Sequence, residues 1–167
     1  PLLKEFAKTK LPIILSTGMC TLDEVAKSLN AIGALDDYPT ILLVTTSEYP
    51  TPNKSVNLLK FQTLAKNFPS IPLGFSDHTQ GVLASSLACA MGASVFEKHF
   101  TLNHSMPGPD HWYSADPNEL IQWVKSIRTS YIMMGSEEVK PTKSEEVLKI
   151  TARRSIFAIS EIKEGDE

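Results

Sequence analysis

Two short apolar runs of the sequence contain side chains that can do chemistry. Glu97 and His99 lie in one run, and Ser76 and His78 lie at the end of the other. Charged groups inside a strand are unfavourable unless they are paired or bind a ligand. Two imidazoles can hold a divalent metal ion and leave other coordination positions open to a substrate. The two runs therefore predict a metal-dependent site, with Glu97 close to whatever the metal binds.

The alternation of side chains along a strand predicts how these groups are arranged. Glu97 and His99 share one face of their strand, and Lys98 points to the other face, where we expect it to pair with an acid. Ser76 and His78 also share a face. If the two strands are parallel neighbours, both histidines end at the same level. A single strand-end histidine is more often an ordinary hydrogen-bonded residue, and Ser76 alone fits a hydroxyl that binds backbone, so the matched pair carries the prediction.

The elements that must position these residues alternate between short apolar runs and helical patterns. Strands are predicted at residues 11–15, 40–44, 71–75 and 93–96. Their spacing is typical of βα units, and near-continuous apolar runs favour parallel strands that are covered on both faces. Periodicity alone fits half of a (β/α)8 barrel or a small open doubly wound sheet. Both architectures place their active sites at the carboxyl ends of the strands, where these polar residues cluster.

Helix start signals lie between the predicted strands. Thr21 and Glu24 form a capping box, which predicts a helix to about residue 34. Asp116 followed by Pro117 predicts the start of a helix that runs to about residue 134. Further helices are predicted over the first residues of the chain, at 57–68 and at 81–91.

The pattern changes after Gly135. Residues 137–154 are polar and are predicted as a linker with a short helix at 144–150. Residues 155–160 are predicted as one isolated strand, which breaks the βα rhythm and indicates the start of another domain. The predicted divisions of the chain are 1–136, 137–154 and 155–167.

The composition predicts a globular protein with a real core. Of the 167 residues, 42% are hydrophobic and 21% are charged. The net charge of −3 argues against nucleic acid and anionic membranes as main partners. Cys20 and Cys89 lack a CxxC partner and are expected to be reduced thiols in a cytoplasmic protein. Because the sequence starts without Met inside a helical pattern, we expect it to be part of a longer protein.

Five phrases occur in order along nearly the whole chain. They are PIILSTGM at 12–19, SEYPTP at 47–52, GFSDHT at 74–79, EKHFTL at 97–102 and PGPDH at 107–111. In this order and spacing they resemble the sialic acid (N-acetylneuraminate) synthase family, which condenses phosphoenolpyruvate with amino sugars. The resemblance implies an α/β fold, the C-terminal half of a (β/α)8 TIM barrel, with an antifreeze-like domain that begins at residue 155. It also implies a cytoplasmic transferase that is a homodimer at full length.

The resemblance assigns catalytic roles to His78, His99 and Glu97. The histidines match residues that bind a divalent metal, usually Mn²⁺, with Mg²⁺ or Co²⁺ as alternatives. The metal would act as a Lewis acid on the aldehyde oxygen of open-chain N-acetylmannosamine. C3 of phosphoenolpyruvate attacks that carbon, water adds to C2, and phosphate leaves by C–O cleavage. Glu97 would orient the sugar hydroxyls.

The resemblance also implies a set of substrate contacts. The amino sugar is contacted by the positions that match Ser47, Tyr49, Glu97 and Asp110, with Asp110 closing over it from a loop. Phosphoenolpyruvate is contacted at Ser76, and Ser16 and Thr17 lie in the strand end that helps to hold it. This strand end precedes a capped helix, where hydroxyls and free N–H groups can bind phosphate.

One position departs from the family pattern. The family usually has Lys directly before Pro12, but here Leu11 occupies that place and Lys10 lies one residue earlier. A shift by one residue turns a side chain to the opposite face of a strand. Either Lys10 reaches the site from a bulge, or the contact with the anionic substrate is weakened.

Several alternatives stay open on the sequence. The sugar is N-acetylmannosamine or a precursor of the legionaminate type. The chain is also compatible with a half-barrel that has no catalytic activity. A third alternative is a different metal-dependent aldolase-like barrel, which would share the strand-end histidines but not the SEYPTP and PGPDH loops.

Overall fold

The computed structural model describes residues 1–165. The described chain divides into two compact units with the boundary after Gly135. The first unit contains the helices α1 (Leu2–Lys8), α2 (Leu22–Ile32), α3 (Lys60–Asn67), α4 (Leu83–Ala90) and α5 (Pro117–Met134) and the strands β1 (Ile13–Ser16), β2 (Thr40–Val44), β3 (Leu73–Asp77) and β4 (Val95–Lys98). Short 3-10 turns at Ala34–Asp36 and Asn53–Ser55 flank β2.

The four strands form one parallel sheet in the order β1-β2-β3-β4. Ser16 of β1 pairs with Leu43 of β2. Leu43 pairs with Gly74 of β3, and Gly74 pairs with Val95 of β4. With its helices, this sheet is half of an α/β barrel, as predicted. Parallel pairing in chain order brings all four carboxyl ends to the same edge.

The helices cover one face of the sheet and form the core there. Phe61 of α3 and Leu29 of α2 are completely buried, and they belong to one cluster with Leu42, Val44 and Phe75 of the strands. Burying a side chain of this size contributes roughly 1.5–3 kcal/mol. The opposite face of the sheet is more open, since Ile14 is 56% exposed. This inward face carries Ser16, Leu43, Gly74 and Val95 in one row.

Gly74 allows the closest approach between strands on the inward face. A Cβ atom at this position would lie 2.5 Å from Leu43 Cδ2 and 2.6 Å from the backbone oxygen of Val95. Both distances are shorter than any ordinary van der Waals contact, and a backbone atom cannot move aside cheaply. The row therefore requires glycine at this point.

The helix start signals function as predicted. Thr21 accepts a hydrogen bond from Glu24 N, and the Glu24 carboxylate accepts one from Thr21 N. Asp116 and Glu119 form the same reciprocal box at the start of α5. Helix α2 ends earlier than predicted because Gly33 adopts a left-handed conformation, with φ of 80°, and a 3-10 turn follows it.

Strand β2 begins where predicted, whereas β1, β3 and β4 begin two residues later than their apolar runs. Strand β1 starts after Pro12 and β3 starts after Pro72, since proline has no N–H to donate to a neighbouring strand. Strands β3 and β4 instead extend to Asp77 and Lys98. The sheet therefore includes the polar residues that the sequence placed near its edge.

The second unit contains helix α6 (Lys143–Ala152), which begins at a capping box of Thr142 and Glu145. The helix predicted at 144–150 is confirmed. The strand predicted at 155–160 is wrong, because those residues form no strand in the structure. A single strand without a partner leaves its backbone groups unpaired and is not stable by itself. Residues 166–167 of the predicted third division lie outside the described residues.

Two further observations concern the cysteines and the helices of the described residues. Cys20 is exposed, Cys89 is buried, and both are free thiols, as predicted. Within residues 1–165, no helix combines the length and the apolar character needed to cross a membrane.

Candidate functional site

His78 and His99 lie side by side at the carboxyl edge of the sheet. Ser76 pairs with Glu97, so the next inward positions on β3 and β4 are the two histidines. Their ring centroids are 5.3 Å apart and the rings are nearly perpendicular, at 81°. The predicted placement of both imidazoles at one level is confirmed.

The hydrogen bonds of His78 leave one ring nitrogen available. Its Nδ1 lies 2.8 Å from the carbonyl oxygen of Thr46, to which it can only donate. We assign the Nδ1–H tautomer from this contact. Nε2 then carries a lone pair and has the Ser76 hydroxyl as a weak neighbour at 3.4 Å.

The neighbours of His99 Nδ1 differ from those of His78. His99 Nδ1 lies 3.4 Å from the hydroxyl of Tyr113 and 3.9 Å from Asp110 Oδ2. A tyrosine hydroxyl can donate or accept, so this contact fits either neutral tautomer of His99.

The donor set of the histidine pair fits a divalent metal. Imidazole nitrogens at about 2.1 Å from one metal place their ring centroids roughly 5 Å apart, close to the separation seen here. Each ring is held through its other nitrogen, by backbone or by side chains, as metal-binding histidines usually are. Two protein ligands would leave several positions for substrate and water.

Glu97 and Ser76 lie one layer deeper than the histidines. Ser76 is 3% exposed, and its hydroxyl donates a hydrogen bond of 2.6 Å to Glu97 Oε1. Glu97 lies exposed on the inward face and makes no ion pair with any residue in 1–165. Its second oxygen is therefore free to accept from a ligand.

Tyr49 covers the histidines from the loop after β2. Its ring centroid lies 4.3 Å from that of His78 and 5.6 Å from that of His99. The loop is held in place because Thr51 N donates to the His78 carbonyl oxygen at 2.8 Å. With 47% of its surface exposed, Tyr49 offers a ring face on which a sugar can pack.

The loop between β4 and α5 folds back over the same edge. Ala115 N donates to the His99 carbonyl oxygen at 2.9 Å, and Thr101 N donates to the Ala115 carbonyl oxygen at 2.9 Å. This closure brings Asp110 to the rim of the site, where its side chain is 58% exposed. Asp110 therefore lies on a loop beside His99, and its predicted contact with the sugar stays a prediction.

Tyr113 is a site residue that the sequence analysis missed. It is only 8% exposed and its ring centroid lies 5.2 Å from that of His99. Burial raises the pKa of its hydroxyl well above the ordinary value, and hydrogen bonding to the Asp110 carboxylate raises that pKa further. An aromatic residue three positions after Asp110, in a polar loop, was the available signal.

Two residues that were predicted to help hold phosphoenolpyruvate, Ser16 and Thr17, lie on the β1 side of the edge. Ser16 is exposed on the inward face, and Ser47, which was predicted to contact the sugar, approaches Gly18 closely. The Thr17 hydroxyl is buried and donates to the Leu43 carbonyl oxygen at 2.9 Å. Thr17 therefore joins β1 to β2, with lone pairs but no proton left for a ligand.

Lys10 and Leu11 lie before β1, at the end of the strand opposite to Ser16. Lys10 has a positive φ of 59°, and Leu11 is 65% exposed. No bulge carries Lys10 towards the carboxyl edge. Of the two explanations given for the departure from the family pattern, the structure does not support the reach of Lys10 from a bulge, and the weakened contact stays a prediction.

A second group of possible metal ligands lies at the start of α5. Among the described residues, His104, Asp116 and Glu119 are the one group of three such ligand atoms within 4.8 Å of one another. However, both carboxylates already accept backbone hydrogen bonds in the capping box, and His104 Nε2 lies 3.2 Å from Glu119 Oε2. This arrangement is adequately explained as a capped helix start with an ion pair.

Comparisons with known proteins identify a family and several related enzymes. The NeuB family profile matches residues 1–139. The chain is 45% identical over 170 residues to an N,N'-diacetyllegionaminic acid synthase of Legionella pneumophila, covering 99% of the chain and 47% of that protein. It is 34% identical over 166 residues to the human N-acetylneuraminate-9-phosphate synthase, covering 99% of the chain and 46% of that protein.

One solved structure has the same arrangement of strands and helices. The N-acetylneuraminic acid synthetase of Leptospira borgpetersenii, crystallised with citrate, superposes with a TM-score of 0.79 at 32% sequence identity. The alignment covers 92% of this chain and 54% of that one. The chain spans about half the length of the curated relatives it matches.

Proposed function

Because this chain belongs to the NeuB family, we propose that it forms half of the catalytic barrel of a nonulosonate synthase. The reaction condenses phosphoenolpyruvate with an amino sugar to give a nine-carbon 2-keto acid and phosphate. The observation that carries this proposal is the pair of imidazoles at one level, with Nε2 of His78 available and Glu97 one layer below.

The histidine pair is the proposed metal site. His78 and His99 would bind one divalent ion, for which Mn²⁺ is the first choice and Mg²⁺ or Co²⁺ are alternatives. A bound ion supplies Lewis acid chemistry to the carbonyl oxygen of the open-chain sugar. The protein fixes the two rings before binding, through Thr46 for His78 and through the loop for His99.

The remaining inward groups would orient the substrates. Glu97 accepts one hydrogen bond from Ser76 and can accept another from a sugar hydroxyl, which holds the sugar over the histidines. Tyr49 packs on the sugar and Asp110 accepts from its outer hydroxyls. Ser16 and Ser76 offer hydroxyls to phosphoenolpyruvate along the same edge, and Ser47 offers one to the sugar. C3 of phosphoenolpyruvate then forms the C–C bond, water adds to C2, and the C–O bond to phosphate breaks.

We favour a diacetamido sugar of the legionaminate type over N-acetylmannosamine. Identity is 45% and 43% to two N,N'-diacetyllegionaminic acid synthases, against 34% to the human N-acetylneuraminate-9-phosphate synthase. Cytoplasmic location follows from phosphoenolpyruvate as a substrate. We further propose that residues from 136 onward lead into an antifreeze-like domain and that the full-length enzyme is a homodimer.

The test is a condensation assay on the natural protein at its full length. Phosphate release is measured with phosphoenolpyruvate, Mn²⁺ and either sugar, in wild type, His78→Ala and His99→Ala. We expect both variants to lose metal binding and turnover, while His104→Ala keeps both, since His104 belongs to the start of α5. Stoichiometric metal binding in either site variant would contradict the proposed metal site.

The 167-residue span by itself is expected to be inactive. Strands β1 and β4 are the edges of the sheet, and unpaired edges promote association. Catalysis requires both substrates in attack geometry, and a small misplacement can reduce the rate about 100-fold. Purified span should therefore release no phosphate above background. A monomeric span as fast as the full-length protein would show that half a barrel suffices.

A further inference from the structure

The two histidines of the candidate metal site are held in different ways. His78 Nδ1 donates to a backbone carbonyl at 2.8 Å, so its orientation is built into the fold of the loop after β2. His99 Nδ1 has no backbone partner among the described residues, and its nearest polar neighbours are the side chains of Tyr113 and Asp110. The orientation of His99 therefore depends on the loop between β4 and α5.

We propose that Tyr113 is the positioning residue of His99. Its hydroxyl accepts a hydrogen bond from His99 Nδ1–H and donates one to Asp110, which directs His99 Nε2 into the site. This inference rests on the proposed function, because the ring atom it positions is a ligand of the proposed metal.

The distances favour Tyr113 over Asp110 as the direct partner of His99. The tyrosine hydroxyl lies 3.4 Å from Nδ1, at the long end of hydrogen-bond distances, whereas the nearest Asp110 oxygen lies at 3.9 Å, too far for a hydrogen bond. A phenol has one proton and free lone pairs, so it can accept from one group and donate to another at the same time. A carboxylate only accepts, so a tyrosine hydroxyl that donates to Asp110 must accept from His99.

Burial keeps the Tyr113 hydroxyl in this place. The side chain is 8% exposed, and its ring lies 5.2 Å from His99 and 5.9 Å from Tyr49 between centroids. The backbone on both sides is fixed, since Ser114 N donates to the Asp110 carbonyl oxygen and Ala115 N donates to that of His99. The ring therefore has little room to turn away from the histidine.

The consequence is an arrangement like the carboxylate–histidine pairs of other metal sites, with a phenol inserted between the two groups. Loss of such an outer partner typically weakens metal affinity about 10- to 100-fold. If Tyr113 only fills space, removal of its hydroxyl changes neither the ring tautomer nor the metal affinity.

The test uses the full protein labelled with ¹⁵N-histidine. Spectra at pH 8.5 report the neutral imidazole tautomers rather than imidazolium. We expect wild-type His99 to carry its proton on Nδ1 and Tyr113→Phe to shift His99 towards a mixture of tautomers, with His78 unchanged as an internal reference. Titration with Mn²⁺ should show affinity at least about 10-fold weaker in Tyr113→Phe.

Tyr38→Phe is the matched control. The Tyr38 hydroxyl also makes hydrogen bonds, to the carbonyl oxygens of Ala7 and Leu11, before the amino end of β1. Its loss should leave the His99 tautomer and the Mn²⁺ affinity unchanged, even if the protein becomes less stable. This separates loss of a hydroxyl in general from loss of the contact with His99.

The outcomes distinguish this inference from the proposed function. Wild-type affinity and an unchanged His99 tautomer in Tyr113→Phe would overturn the inference while the metal site stands. If wild type binds no Mn²⁺ at the pair, the metal site is wrong, and the tautomer of His99 still decides the role of Tyr113. If Tyr113→Phe does not fold, the wild-type spectrum decides, since a proton on His99 Nε2 contradicts the proposal.

Discussion

The inward and outward faces of β3 and β4 carry polar groups of very different kinds. On the outward face Asp77 is 1% exposed and accepts hydrogen bonds from Thr79, Ser85 and Trp123. Lys98 completes this set, with Nζ 3.2 Å from Asp77 Oδ2, which confirms its predicted pairing with an acid. On the inward face, one residue away, Glu97 is exposed and has one serine hydroxyl as its hydrogen-bond partner among the described residues.

This difference separates structure from chemistry on the same two strands. A buried carboxylate with every lone pair engaged stabilises the fold and has nothing left to offer a ligand. A carboxylate with unused lone pairs, next to two imidazoles at one level, is suited to binding. Alternation along the strand keeps the two sets on opposite sides of the sheet.

Removal of Asp77 should give the largest effect on stability. Asp77→Ala leaves the Lys98 ammonium buried without its counter-charge, and breaking a buried pair in this way costs about 3–5 kcal/mol. We expect that loss in the free energy of unfolding, measured by urea denaturation. A loss below about 1 kcal/mol, the size expected for an average substitution, would mean that the outward network is not structural.

The corresponding change on the inward face should do the reverse. Glu97→Gln keeps the shape of the side chain, so the free energy of unfolding should stay within about 0.5 kcal/mol of wild type. Turnover of the full-length protein should fall at least about 100-fold, equivalent to about 2.7 kcal/mol in the barrier. Normal turnover together with lowered stability in Glu97→Gln would show that the inward carboxylate serves the fold rather than the ligand.

Gly74 is an exception to this comparison, because it lies on the inward face but its role is structural. Gly74→Ala places a methyl group against Leu43 and the Val95 carbonyl, and overpacking of this kind typically costs about 1–3 kcal/mol. The loss should appear in the free energy of unfolding. Unchanged stability would show that β3 and β4 can separate slightly at no cost.

The capping box of α2 belongs to neither face and should give the smallest effect. Thr21→Ala removes an N-cap, which typically lowers the free energy of unfolding by about 1 kcal/mol. Backbone and side-chain hydrogen bonds from Thr21 lower the pKa of Glu24 below its ordinary value of 4.5. Because the folded state then binds this proton less readily, the Glu24 contribution is full above pH 4.5 and is lost as pH falls through the lowered pKa.

This pH dependence provides the measurement. The difference in stability between wild type and Thr21→Ala should narrow between pH 7 and pH 3, as Glu24 becomes protonated. The same series on Gly74→Ala, which removes no titratable group, checks that the narrowing belongs to the capping box. A constant difference across this range would mean that Glu24 does not take part in the cap.

The sequence predicted correctly those features that depend on the alternation of side chains along a strand or on residues close together in the chain. The level of His78 and His99 follows from alternation along two parallel strands, and the capping boxes follow from residues three positions apart. These features need only the local chain and the pairing of adjacent strands. The predicted half-barrel rested on the same repeats and on the family resemblance.

The sequence was insufficient where burial depends on how a loop folds back. Tyr113 is buried because Phe100 and Ala115 pair across the loop, and no local pattern announces that contact. The strand at 155–160 was predicted from residue preference alone, without a partner strand. The sequence left open whether Lys10 reaches the site from a bulge. Only the start of β1 after Pro12 answered this question.

The alternation of side chains along β4 also determines which mutations the protein can accept during evolution. Substitutions at Glu97 or His99 alter what the sheet presents to a ligand and leave the Lys98 side of the strand intact, so new chemistries can be sampled on an unchanged scaffold. Loss of one codon just before Glu97 acts differently, because it turns an ammonium towards the ligand and drives a carboxylate and an imidazole among the helices. In this strand a substitution is therefore tolerated far better than the deletion of one residue.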